Sequence, residues 1–264
     1  MTVSIIIPVF NVRPDLLDRA LSSAFAQSNS DVEVVVVDDG SASPVGDWLA
    51  RLCPHHARRS NFSLTALPDN LGIAAARNAG VKEAAGSHLV WLDADDTLEP
   101  DCVERLYASS PGKTLIIGEC NVWHAGQVQR RRPACYYRKA LTCLGTLQDP
   151  FLLNVISVQP QIIDREIFLG LGGFDVRYRF AEMTDLFLRY LSRHGLTQVD
   201  FIEDAVYNYY RDRHDSVSSA RDELTRHRER CLTEYLVRSG HAGARMRYRS
   251  RDPETGMQQF MVEN

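Results

Sequence analysis

Acidic side chains recur in this chain where apolar runs end. Val32 to Val37 runs into Asp38-Asp39-Gly40, and His88 to Leu92 runs into Asp93-Ala94-Asp95-Asp96. A third run, Ser4 to Phe10, ends at Asn11. In open α/β sheets, ligands bind outside the carboxyl ends of the strands. These ends would therefore collect five carboxylates along one edge. Left unpaired, they repel one another and some must take up protons. A divalent cation resolves the conflict, because hard oxygen ligands suit Mg2+ or Mn2+. The cation in turn bridges to a diphosphate that an acidic edge alone would repel. For a single Asp the plainer reading is a helix cap or turn former. Three strand ends together favour a ligand-binding edge.

The elements that must position these residues follow from hydrophobic periodicity. Ser4 to Phe10 and Val32 to Val37 are near-continuous Ile/Val runs, as expected of parallel strands covered on both faces. Pro14 opens a helix with an apolar stripe at Leu16, Leu17, Ala20, Leu21, Ala24 and Phe25. Further helices are expected over Val45 to Ala57 and Gly72 to Ala85, with strands over Phe62 to Leu67 and His88 to Leu92. Strands alternating with helices mean crossovers and a mainly parallel α/β sheet. Beyond Pro111 the pattern loosens. Thr114 to Trp123 and Gln127 to Tyr137 read as a strand pair around His124-Ala125-Gly126. Glu182 to His194 reads as a helix, Gln198 to Ile202 as a strand, and Arg221 to Arg238 as a final helix. The second part is expected to add strands to the same sheet. The arginine-rich end, Arg226 through Arg251, reads as a solvated helix face and a loose tail.

Composition narrows the chemistry. The chain has 264 residues, 44% hydrophobic and 24% charged, with a formal net charge of -4. That describes an ordinary globular protein and makes nucleic acid a poor candidate partner. The apolar runs are far shorter than the roughly 20 residues of a membrane span. The chain enters a strand without a basic or apolar leader, so a cytoplasmic location is expected. Six scattered cysteines, none spaced as Cys-x-x-Cys, read as reduced and mostly packed thiols. No glycine-rich dinucleotide loop follows the first strand, and no Walker-type loop is present, so hydride transfer and P-loop chemistry fall away.

The motifs taken together resemble a known family. Ser4-Ile-Ile-Ile-Pro-Val-Phe-Asn11, Val-Val-Asp38-Asp39-Gly-Ser41, Asn70-Leu-Gly72 with Ala-Arg77-Asn78, and Leu-Asp93-Ala-Asp95-Asp96 are similar to the family-2 glycosyltransferases of the GT-A fold. Gly172-Gly-Phe174-Asp175, the helix from Glu182, and Tyr209-Tyr-Arg211 followed by His214-Asp-Ser216-Val-Ser218 continue the likeness. The resemblance implies a Rossmann-like, mainly parallel sheet flanked by helices, in one compact domain with a C-terminal helical extension. Residues 1–112 would form the nucleotide-sugar-binding half and 113–218 the acceptor-binding half. Residues 219–264 would form a C-terminal helix and basic tail. It further implies that Pro8, Val9, Phe10 and Asp39 hold the base and ribose, and that Arg77 contacts the base or a phosphate. Asp93 would meet the ribose, Asp95 would ligate Mn2+ or Mg2+, and His214 would add a metal or diphosphate contact. The donor would be a nucleotide diphosphate sugar, with uridine the commonest nucleotide among relatives. The acceptor would be a small molecule or saccharide, and a homo-oligomer is possible.

One position departs from that family. Many inverting members carry Glu-Asp at the start of the later helix, the Asp being the general base. Here the sequence reads Glu182-Met183, and a thioether cannot take a proton. Met183, Leu186, Phe187, Tyr190 and Leu191 form one apolar stripe, so Met183 is expected to pack inward. Glu182, Asp185 and Arg189 share another face. Proximity would raise the pKa of Glu182 or Asp185, while Arg189 would depress that of Asp185. Glu182 is then the preferred base and Asp185 the second candidate, with a base elsewhere also open. Two other readings stand beside the metal-dependent inverting transferase. One is a degenerate protein that holds nucleotide sugar without turnover. The other is a sugar-phosphate nucleotidyltransferase, which the stretch Asn11-Val-Arg13-Pro-Asp15 disfavours because it lacks a glycine-rich basic loop.

Overall fold

The computed structural model describes residues 2–29, 31–108, 112–132, 153–154, 161–211, 221–251 and 258–263. Strand β1 (Val3–Val9) is buried at every position. It lies between β2 (Val32–Asp38) and β4 (His88–Trp91), parallel to both, with Val9 opposite Asp38. β3 (Phe62–Ala66) extends the sheet beyond β2. Three expected strand ends are thus neighbours, because the parallel register brings their carboxyl termini to one edge.

Helices cover both faces. α1 (Pro14–Phe25) buries Leu17, Ala20, Leu21 and Ala24. With α2 (Val45–Leu52) it covers the face carrying Ile5, Ile7, Val34 and Val36. α4 (Ile73–Glu83) covers the other face, against Ile6, Val35 and Val37. Right-handed crossovers require this split, since the chain moves outward from β1 to β3 and then returns to β4. The single helix expected over Val45 to Ala57 breaks at Cys53 (φ -132°, ψ 50°), and the one-turn α3 (Pro54–Ala57) follows. The cause is Pro54, which lacks an N–H and pushes the preceding residue out of helical geometry.

The second half joins the same sheet, as expected. β6 (Leu115–His124) and β7 (Gln127–Arg132) form an antiparallel pair through Ala125 and Gly126, both at positive φ. The part of the second expected strand beyond residue 132 lies outside the described residues. β10 (Val199–Tyr210) runs parallel to β6 and is much longer than the five residues expected. Two short strands escaped the periodicity. β9 (Gln161–Asp164) is inserted antiparallel between β4 and β6, and β5 (Thr97–Leu98) pairs with the end of β10. The described order is β3-β2-β1-β4-β9-β6-β10-β5, with β7 beside β6. Short helices α5 (Cys102–Ala108) and α6 (Arg165–Gly170) flank it.

Helix α7 (Glu182–His194) buries its expected stripe, Met183 included, but also Glu182, Thr184, Asp185 and Leu188. α8 (Arg221–Arg238) packs on it through Cys231, Leu232 and Leu236. The arginine-rich end is not the loose tail expected. β11 (Arg245–Arg251) and β12 (Gln258–Glu263) pair antiparallel, and β8 (Leu153–Asn154) completes a second, three-stranded sheet. Alternation explains the difference: Arg245 and Arg247 face solvent, whereas Met246 between them is 1% exposed and sits in a core with Phe260.

That core runs without interruption from Ile6 to Phe260. Leu236→Ala should cost about 2–5 kcal/mol, as core truncations do. Urea unfolding followed by both tryptophan fluorescence and circular dichroism should show one shifted transition. A separate, earlier transition for the C-terminal segment would contradict the shared core.

Candidate active site

The five clustered carboxylates meet different fates. Asp38 accepts backbone N–H bonds from Ser41 (3.0 Å) and Val45 (2.9 Å), so it caps the turn into α2. Asp39 accepts from the N–H groups of Leu71 and Gly72, each at 2.9 Å. Burial raises its pKa, and those two amides oppose the rise. Gly40 permits this clasp. It sits at φ +70°, and a Cβ there would lie 2.5 Å from the carbonyl carbon of Asp69. Across the same edge, Asn11 takes a left-handed φ of 49°. It donates its N–H to Ser41 Oγ and accepts from Ala42 N–H through Oδ1.

Asp96 turns inward. It is fully buried and accepts from the Tyr207 hydroxyl (2.7 Å) and the Tyr210 N–H (2.9 Å). Burial, with Asp93 and Asp95 nearby, pushes its carboxyl well above the ordinary range. The Tyr207 oxygen also accepts the Asp93 N–H (3.2 Å), so this tyrosine ties the acidic turn to β10. Arg19 on α1 donates to the Asp95 carbonyl (2.7 Å) while stacking 3.8 Å over the Tyr210 ring. Arg19 and Tyr207 carry no motif signal, because nothing local links a helix at residue 19 to a strand near 207, whereas Tyr210 lies in the Tyr209-Tyr-Arg211 motif.

Arg77 on α4 has a side chain only 1% exposed. It donates to Asp93 Oδ1 at 2.8 Å and to Glu182 Oε1 at 2.5 Å. Burial alone would weaken its positive charge, but Asp93 and Glu182 outweigh that and hold its pKa above the usual value. Its two terminal nitrogens thus meet protein carboxylates, while its Nε has no partner among the described residues. The next residue, Asn78, makes a reciprocal pair with Phe174, donating to its carbonyl (2.8 Å) and accepting its N–H (2.9 Å). Ala181, directly before Glu182, holds a left-handed φ of 68°. Such a conformation costs a non-glycine residue about 1 kcal/mol or more. It turns the chain so that Glu182 begins α7 against Arg77.

The two base candidates separate. Asp185, 1% exposed, pairs with Arg189 Nε (2.8 Å), and Arg189 also donates to the carbonyls of Leu171 and Gly173. Asp185 thus anchors the Gly172-Gly-Phe174 turn. Burial raises its pKa despite Arg189, which reverses the expected depression. Met183 is buried, with Gln161 Nε2 3.7 Å from its sulfur. Among Pro8, Val9 and Phe10, the first two are buried in β1 and Phe10 is 47% exposed at the edge. His214 and the segment around it lie outside the described residues.

The tip of the edge retains Asp93 and Asp95, both half-buried. Two hard oxygen donors fit a Mg2+ or Mn2+ ion that takes its other ligands from a diphosphate and water. Among the described residues no third protein ligand joins them.

A sequence profile for glycosyl transferase family 2 matches residues 4–166, and the chain belongs to that family. It is 36% identical over 180 residues to the succinoglycan biosynthesis protein ExoW of Rhizobium meliloti, covering 62% of this chain and 56% of that one. It spans between 14% and 60% of the length of other curated relatives it matches. A mannosyltransferase from Pyrobaculum calidifontis, solved with GDP-Man and Mn2+, superposes with a TM-score of 0.66 at 19% identity, covering 91% of this chain and 64% of that one. S. aureus TarS 1-349, solved with UDP-GlcNAc, gives 0.64 at 17%, covering 90% and 72%. These likenesses establish the GT-A-type architecture.

Removing Arg77 would strand two carboxylates, one of them buried. Arg77→Ala should therefore cost about 3–5 kcal/mol in urea unfolding. Arg77→Lys keeps the charge but cannot bridge both groups. It should lower the melting temperature and cut sugar transfer more than tenfold, and wild-type behaviour of both variants would refute the bridge. Gly40→Ala must displace the Asp69 backbone, so it should weaken nucleotide binding more than a surface glycine such as Gly126→Ala.

Proposed function

We propose that this family-2 glycosyltransferase moves a sugar from a uridine diphosphate sugar to a hydroxyl of a saccharide or small-molecule acceptor, with inversion at the anomeric carbon. The observation that carries the reading is the Arg77 bridge. It ties Asp93, at the edge where the donor would bind, to Glu182, at the start of α7. Phe10 and the Asp39 turn lie at the edge where base and ribose would bind.

Glu182 is the proposed general base. Asp185 is held by Arg189 at the far turn, and Met183 is packed in the core. The Glu182 side chain keeps about a tenth of its surface exposed, enough to accept a proton from an acceptor hydroxyl. In-line attack requires that base on the side of the sugar opposite the leaving diphosphate. Asp95, with Asp93, would hold Mn2+ or Mg2+, which when bound supplies counter-charge to the leaving diphosphate. Arg77 orients Asp93 and Glu182 together, so donor and base keep a fixed separation. The buried Met183 supports a second reading, a donor-binding protein without turnover. No helix among the described residues is long and apolar enough to cross a membrane.

Thermal shifts with uridine, guanosine and deoxythymidine diphosphates, with and without Mn2+, test the donor assignment, since ligands of the native state raise its melting temperature. Uridine diphosphate with Mn2+ should give the largest shift, and Asp95→Asn should lose the Mn2+-dependent part. Glu182→Gln should keep donor binding but lower transfer by roughly 10²–10⁴-fold. Full transfer in Glu182→Gln would reject the base, and donor binding without transfer by the wild type would favour the second reading.

A further inference from the structure

A second cluster of ligating side chains lies on the face covered by α1 and α3, apart from the acidic edge. The break at Cys53-Pro54 throws His55 and His56 back against α1. His56 Nε2 lies 3.0 Å from Asp18 Oδ1, and His55 Nε2 lies 3.9 Å from the same oxygen. The three ligand atoms all fall within 4.8 Å of one another. Around a zinc ion with bonds of about 2.0–2.2 Å, neighbouring donors stand roughly 3.3 Å apart. The Asp18 and His55 side chains, 41% and 62% exposed, have room to rotate toward that spacing.

We propose that Asp18, His55 and His56 form a zinc-binding site that ties α1 to α3. The donor set is two imidazoles and one carboxylate, which favours zinc and its first-row neighbours over Mg2+ and Mn2+. His56 supplies the fixed arm. Its side chain is 2% exposed and its ring stacks on Phe25 at 5.4 Å, tilted by 18°.

Two features limit the affinity. His56 Nδ1, which carries the proton when Nε2 binds metal, is buried without a partner among the described residues. Arg59, stacked 4.4 Å over Phe25, adds positive charge nearby. The site should therefore bind more weakly than a closed cage of four protein ligands. It differs from the donor edge in ligands and in the metal it selects. Asp18 and Arg19, adjacent on α1, serve the two places separately.

The test uses the untagged full chain, stripped by chelator and titrated with zinc chloride in the absence of nucleotide. Uptake of one zinc per chain and a saturable rise in melting temperature are expected, with no comparable rise from Mg2+. Asp18→Asn and His55→Ala remove exposed groups, so the metal-free protein should melt nearly as the wild type does. Each should weaken zinc binding by at least the roughly 10–100-fold that losing even a supporting group costs. Asp95→Asn should leave zinc binding intact, which separates this site from the donor edge and from the proposed transfer reaction. Absence of stoichiometric uptake, equal uptake by both ligand variants, or loss of zinc in Asp95→Asn would overturn the proposal.

Discussion

A buried guanidinium governs this structure. Arg77 gives up its water, and in the low-dielectric interior that is tolerable only with closely placed opposite charges. Two carboxylates supply them, one from the turn after β4 and one from the start of α7. Neither element can shift without exposing the charge it neutralises. Asn78 extends the constraint by pairing with the Phe174 backbone. Phe174 packs edge-on against Trp91 in β4 and against Phe168 in α6. Two adjacent residues of one helix thus clip the first half of the chain to the Phe174 turn and the start of α7.

The same electrostatic demand explains how an acidic edge coexists with a folded chain. Five unpaired carboxylates on one edge would repel one another unless a cation were shared among them. The protein instead distributes the load. Backbone amides satisfy Asp38 and Asp39, a tyrosine hydroxyl and an amide satisfy Asp96, and Arg77 satisfies Asp93. A metal of the kind proposed at Asp93 and Asp95 would then serve catalysis and is no condition of folding. This agrees with the plain reading of Asp38 as a turn former.

Much of the architecture was legible because burial imprints a period. Continuous Ile/Val runs gave β1 and β2, and helical stripes gave α1, α7 and α8 to within a residue or two. The failures are equally physical. β5 and β9 are too short to show a period, and Arg residues mask the alternation of β11. Pro54 broke a helix that apolar spacing alone had extended. At the site, the motif residues were visible, and so was the Asp185–Arg189 pair. Nothing local showed that Arg77 would bridge Asp93 and Glu182, 105 residues away, or that Arg189 would also hold the Gly172-Gly-Phe174 turn.

Sequence by itself determined the family, the parallel half-sheet and the three strand ends that meet, because each follows from local composition and spacing along one element. It also determined that position 183 offers no base. Tertiary structure alone decided which carboxylate each cation meets, that Tyr207 and Arg19 secure the acidic turn, and that Asp18 stands beside two histidines nearly forty residues downstream. The reason is that charge pairing in a core depends on distance through space, and the chain records only distance along itself.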